Sequence, residues 1–134
     1  MPNLGKEDTV DPRKILIVDD SKLIHKMFEV MLRPHRLVHA EDGVEGLQKL
    51  AEHANVDLIL LDINMPRMNG LEFLGEVRKN EAFSNIPVVI VSTEGKDEDT
   101  DRALNSGASA YITKPFQSES ILEVVSQLTV SGAA

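Results

Sequence analysis

Apolar residues along this chain fall into two kinds of pattern that take turns. Nearly continuous runs occur at residues 15–18, 56–61 and 88–91, with a thinner one at 110–112. Runs of that length, rich in Ile and Val and free of polar alternation, suit strands covered on both faces. Residues 36–40 are more polar and suit an edge strand. Between the runs, apolar positions step by three and four. Leu23, Ile24, Met27 and Met31 do so before Pro34; Val44, Leu47, Leu50 and Ala51 follow Gly43; Leu71, Leu74 and Val77 come third. A thinner fourth stripe, Ala103 and Leu104, is stopped by Asn105-Ser106-Gly107, and Ile121, Leu122, Val125 and Leu128 make the fifth. This spacing predicts amphipathic helices.

Five alternations of strand and helix predict an α/β domain, (βα)5, with a parallel sheet and right-handed crossovers. The most polar strand, the second, belongs at an edge, which favours the doubly wound, flavodoxin-like order 2-1-3-4-5. Right-handedness then places the first and fifth helices on one face and the second, third and fourth on the other. The winding reverses beside the first strand, opening a crevice at the C-terminal strand ends between strands 1 and 3. Function is expected there.

Composition narrows the picture. The chain has 134 residues, enough for one self-sufficient core. Absence of cysteine removes disulfides, thiolate metal sites and cysteine nucleophiles. A net charge of −8 argues against gripping nucleic acid or anionic membrane through bulk charge. No stretch approaches a membrane span, and the start has no secretory apolar segment. The expectation is one cytoplasmic domain at 14–129, with a loose polar arm at 1–13 and a tail at 130–134.

The residues just past each apolar run carry the chemistry. The first run ends in Asp19-Asp20, the third strand in Asp62, the fourth in Ser92-Thr93 and the fifth in Thr113-Lys114-Pro115. A single Asp at a strand end is most often a helix cap or turn residue, and Asp20-Ser21 could cap the first helix. Here, however, three carboxylates, a hydroxyl and an ammonium converge on one crevice. Adjacent carboxylates repel and gain from a cation. Oxygen-only ligands point to a hard ion, with Mg2+ the cellular default. Such a site is equipped for phosphoryl uptake by Asp62.

The strings ILIVDDS, LILLDINMPRMNG, VVIVSTEG and AYITKPF, with Ser92 30 and Lys114 52 positions after Asp62, resemble response-regulator receiver domains of two-component signalling. The resemblance covers residues 14–128. It implies that Asp62 is the phosphoacceptor for a sensor histidine kinase or phosphotransfer protein. Asp20 then ligates Mg2+ directly, Asp19 does so through water, and the backbone carbonyl of Asn64 adds a ligand. Ser92 becomes the switch hydroxyl, Lys114 pairs with the phosphoryl group, Tyr111 is the aromatic that swings inward, and Lys114-Pro115 is a cis peptide. The family signals through its fourth helix, fifth strand and fifth helix to a downstream protein target, and resets by self-dephosphorylation. Asn64 and Glu94 occupy the tuning positions. Thr93 departs from the family's usual Ala or Gly and is expected to crowd access to Asp62.

A stand-alone, monomeric switch of the chemotaxis-regulator kind fits best; a receiver excised from a longer regulator and a phosphorelay shuttle are the alternatives. A Mg2+-dependent aspartyl-phosphate phosphohydrolase would carry its nucleophile and a second Asp two residues later at the end of the first strand, where Asp19-Asp20-Ser21 stands instead, and a cap insertion, which is absent. A flavodoxin-like FMN carrier needs a Ser/Thr/Gly-rich loop where VDDSKL stands. The domain is thus expected to catalyse only its own phosphorylation and dephosphorylation. His25, His35, His39 and His53 lie on different predicted elements without metal-ligand spacing and are expected on the surface or half-buried. The charge run 96–101 reads as the wet start of the fourth helix.

Overall fold

The computed structural model describes residues 12–53, 55–93 and 97–129. In chain order the elements are β1 (Lys14–Val18), α1 (Lys22–Met31), β2 (Arg36–Ala40), α2 (Gly43–Glu52), β3 (Leu58–Leu61), α3 (Gly70–Lys79), β4 (Val88–Ser92), α4 (Asp97–Asn105), β5 (Ala110–Thr113) and α5 (Ser118–Leu128). All strand pairs are parallel, in the order β2-β1-β3-β4-β5. The most polar strand, β2, is an edge, as its sequence predicts.

Successive residues of a strand point to opposite faces, so the sheet sorts its side chains into two cores. Leu16, Val18, Ile59, Leu61, Val88 and Ile90 pack with Leu50 of α2, Phe73, Leu74 and Val77 of α3, and Ala103 of α4. Ile15, Ile17, Leu58, Leu60, Val89 and Val91 pack with Phe28 and Leu32 of the α1 segment and Ile121 and Val125 of α5. Helices 1 and 5 therefore cover one face and helices 2, 3 and 4 the other, as right-handed crossovers require.

Within four helices the apolar stripe departs from the expected one. On α1, Leu23 and Met27 are exposed, and the buried line runs through Ile24, Phe28 and Leu32. Phe28 is the largest apolar side chain on that helix, and burying it fixes the rotation; residues three or four positions from it face inward. Ala51 of α2 is exposed, and so are Leu104 of α4 and Leu122 of α5. Among the described side chains of α4, the small Ala103 is the fully buried one packed on the core. Exposed Glu98 and Asp101 agree with a wet face there.

Helix starts are chemically marked. Ser21, Asp42 and Asn69 each accept a backbone N–H from the third residue on, and Asn69 with Glu72 forms a reciprocal capping box. Arg13, assigned with the arm, is joined to β2: its N–H donates to His35 Nδ1 and its carbonyl accepts from Arg36. Residues 1–11 of the arm and the tail lie outside the described residues. Lys114-Pro115 is cis as the resemblance implies, and Arg33-Pro34 is cis as well. Among the described residues, no helix is long and apolar enough to cross a membrane.

Candidate functional site

The parallel ladder continues one residue beyond the strands, and this aligns the chemistry. Asp19 N–H donates to the Ala40 carbonyl, Asp62 N–H to the Val18 carbonyl, and Lys114 N–H to the Ser92 carbonyl. Asp19, Asp62, Ser92 and Lys114 are thereby held side by side at the C-terminal edge of β1, β3, β4 and β5, across the crevice where the winding reverses. Carboxylate oxygens of Asp19, Asp20 and Asp62 lie within 4.8 Å of one another.

Burial gives each group a different character. Asp19 and Asp62 are 2% and 7% exposed, Ser92 is fully buried, and Asp20 faces solvent. Asp19 is engaged on both oxygens: Oδ1 accepts from Ser21 N–H and Oδ2 from Lys114 Nζ at 2.9 Å. Lys114 Nζ stands 3.8 Å from Asp62 Oδ2, so one ammonium answers two buried carboxylates. The Asp62 carboxylate accepts from Ile63 N–H and from the Ser92 hydroxyl. Even so, burial and then the neighbouring Asp19 charge push the Asp62 carboxyl above the usual carboxylate range, against the pull of Lys114. Excess negative charge on buried oxygen donors fits a hard divalent cation such as Mg2+.

The loop after Asp62 is clasped from two sides. Gly70 N–H returns to the Ile63 carbonyl, and a Cβ on Gly70 would stand 2.2 Å from the Asp62 carbonyl oxygen, so only glycine lets α3 start so close to the site. Arg67, at φ 63°, donates through Nε and Nη2 to the two carboxylate oxygens of Asp42, the cap of α2. That clamp holds Asp42 below the usual carboxylate range. Sequence reasoning missed it, because Asp42 and Arg67 share no motif and meet only when two crossover loops fold side by side. An Asp-Gly-x-Glu string at residues 42–45 is the signal that could have marked Asp42 as a cap.

The expected residues are distributed as follows. Asp19, Asp20, Asp62, Ser92 and Lys114 come together. Asn64 and Thr93 are exposed at the rim, two positions past Asp62 and one past Ser92. Tyr111 of β5, paired in register with Ile90, is half-buried against the core under α4. Glu94 lies outside the described residues. His25 and His39, expected apart, are in contact; their separation in sequence hid a juxtaposition that the β1–β2 pairing creates.

A doubly wound parallel sheet with an oxygen-donor pocket at its switch point is a ligand-binding α/β domain of flavodoxin-like type. Sequence comparison specifies it further: the chain belongs to the response regulator receiver domain family, whose profile matches residues 15–126. Chemotaxis protein CheY1 of Helicobacter pylori is 35% identical over 113 residues, spanning 82% of this chain and 91% of the relative. Among solved structures, chemotaxis response regulator CheY4 of Vibrio cholerae superposes with a TM-score of 0.80 at 33% identity, covering 88% of this chain and 99% of its own. CheY in the CheX-CheY-BeF3-Mg2+ complex of Borrelia burgdorferi gives 0.83 at 31% identity, with 92% and 94% covered. The chain is accordingly a two-component signalling domain similar to single-domain chemotaxis regulators.

Proposed function

We propose that Asp62 takes a phosphoryl group from the phosphohistidine of a sensor histidine kinase or phosphotransfer protein, within a working unit of residues 14–129. The observation that carries this reading is the Asp62 carboxylate at the crevice, flanked by the Lys114 ammonium at 3.8 Å and the buried Ser92 hydroxyl. An Asp62 oxygen attacks phosphorus as the donor's P–N bond breaks; the bonding pair leaves with the imidazole, and an acyl phosphate forms. Asp20 directly, Asp19 through water, Asp62 and the Asn64 backbone carbonyl would hold Mg2+, which neutralises phosphoryl oxygens when bound. Exposure of Asp20, against the full engagement of Asp19 by Ser21 and Lys114, supports that division of labour.

Lys114 is poised to exchange Asp19 for the added phosphoryl oxygens, and Ser92 to donate to them in place of the Asp62 carboxylate. Each exchange draws the ends of β4 and β5 towards the crevice. Tyr111, half-buried on the α4 side of β5, can then change its packing and shift the populations of the α4–β5–α5 surface that a partner protein reads. The small size of Ala103, the fully buried residue among the described side chains of α4, supports this, because a small side chain offers little packing against displacement. Asn64, Thr93 and Glu94 set the approach of donor and of hydrolytic water, and self-dephosphorylation resets the switch. The net charge of −8 supports a protein target over nucleic acid for a cytoplasmic monomer.

Incubation of the full chain with Mg2+ and acetyl phosphate should add one phosphoryl group, labile to base and hydroxylamine. Asp62→Asn should abolish it, since a carboxamide is a poor nucleophile. Undiminished labelling of that variant at the same lability would overturn the assignment.

A further inference from the structure

Beside the acidic pocket, two histidines meet where α1 crosses the end of β2. The strand register sets Ile17 opposite His39, and the second turn of α1 carries His25 over the same strand end. Their rings are edge-on, with centroids 4.7 Å apart, planes inclined at 65°, and Nδ1 facing Nδ1 at 2.6 Å. The far nitrogen of each ring is committed. His25 Nε2 is 2.7 Å from the Asp19 backbone carbonyl oxygen, and His39 Nε2 is 3.0 Å from Glu29 Oε2. A carbonyl and an ionised carboxylate only accept, so both Nε2 atoms carry hydrogen, an assignment that follows from these partners. Each Nδ1 of a neutral ring is then a bare lone pair. Two lone pairs aimed at one another at hydrogen-bond distance require a cation between them, either one shared proton or a metal ion.

We propose that His25 and His39 form a second metal site, separate from the acidic pocket, that takes one borderline divalent ion of the Zn2+ type through their two Nδ1 atoms. Metal-bound histidines characteristically donate the other ring N–H to a carboxylate or a backbone carbonyl, and here one ring does each. Imidazole favours Zn2+, Ni2+ or Cu2+, whereas the carboxylate pocket suits Mg2+, so ligand chemistry keeps the two sites apart. Tetrahedral Zn–N bonds of about 2.0–2.1 Å separate the nitrogens by about 3.3 Å, so each ring needs to swing outward by only about 0.4 Å. Both rings are half-buried and line a surface cavity of about 410 Å3, shared with Lys22, Lys26, Glu29, Glu41 and Glu45. Three carboxylates against two ammoniums favour a cation there, and water can complete its coordination.

The test is Zn2+ titration of the untagged full chain by calorimetry, with millimolar Mg2+ present to occupy the acidic pocket. One equivalent should bind with a Kd of about 10 μM or tighter. His25→Gln and His39→Gln should each weaken it roughly tenfold or more, while His53→Gln leaves it unchanged. In parallel, imidazole 15N spectra of the parent chain should show Zn2+ moving the Nδ1 resonances of His25 and His39 while their Nε2 atoms stay protonated. That readout stands even where a variant folds poorly. Absence of Zn2+ binding by the parent, unchanged affinity in a folded His39→Gln, or Nδ1 shifts confined to His35 and His53 would each overturn the site.

Discussion

Replacing Asp62 by Asn should make the metal-free domain more stable while removing its phosphorylation. Asp62 is buried beside Asp19 and Asp20, with carboxylate oxygens within 4.8 Å; at an effective dielectric near 20, each such repulsion costs about 3.5 kcal/mol. The Lys114 ammonium at 3.8 Å returns about 4.4 kcal/mol on the same scale. Halving the Asp20 share because that side chain is exposed leaves a net cost of about 1 kcal/mol. Burial of the charge itself adds about 1 kcal/mol more, whereas an Asn carbonyl can keep the Ile63 N–H bond. Asp62→Asn should therefore stabilise by about 2 kcal/mol, or about 6–8 °C in Tm, in buffer with chelator at neutral pH. The sign has a pH signature. Asp62 has a raised folded-state pKa, so its protonated form stabilises the fold and that contribution is lost as pH rises through the folded value. The gap between variant and parent should close on acidification to the ordinary carboxylate range. Mg2+ should raise the parent's Tm and do so less for the variant, by mass action. Thermal melts across pH check all three expectations. A variant less stable than the parent without metal, or a gap that widens in acid, would refute the charge-crowding argument.

Gly70→Ala should destabilise by about 2–3 kcal/mol in urea melts and slow phosphorylation by acetyl phosphate, because the new Cβ must push the Asp62 backbone away. Arg78→Met should cost about 2–3 kcal/mol, since Arg78 donates to the carbonyls of Ser84, Ile86 and Gly107 and its loss leaves them short of partners; stability equal to the parent would show water replacing it. Arg67→Gln should lower stability at neutral pH but not in acid: Asp42 has a depressed pKa, so its contribution is present above the ordinary carboxylate value and lost as pH falls through the folded one. Thr93→Ala should speed uptake from acetyl phosphate roughly fivefold to tenfold, a barrier change of about 1 kcal/mol, in a stopped-flow comparison. Unchanged uptake and decay rates there would mean that the Thr93 side chain points away from the phosphoryl path.

Strand number, strand order and the two-faced distribution of helices were legible in the sequence, because fully buried strands must be apolar throughout and an edge strand need not be. The acceptor-side residues were legible for a related reason. In a parallel sheet every strand runs the same way, so the residue after each apolar run lands on the same edge, and Asp19, Asp62, Ser92 and Lys114 could be placed together without coordinates. Rotation of the helices was not determined locally. Leu23, Met27, Leu104 and Leu122 fit a helical period as well as their neighbours do, and only the bulk of Phe28 or the shape of the sheet decided which faced inward. The Asp42–Arg67 clamp and the Nδ1-to-Nδ1 contact of His25 and His39 belong wholly to the tertiary structure. The clamp joins side chains from separate crossovers, whereas the histidine contact sets a residue of α1 against one of β2 and depends on the register of β1 with β2. Side-chain periodicity encodes which face a residue takes, but not which distant partner the packed layers bring to meet it.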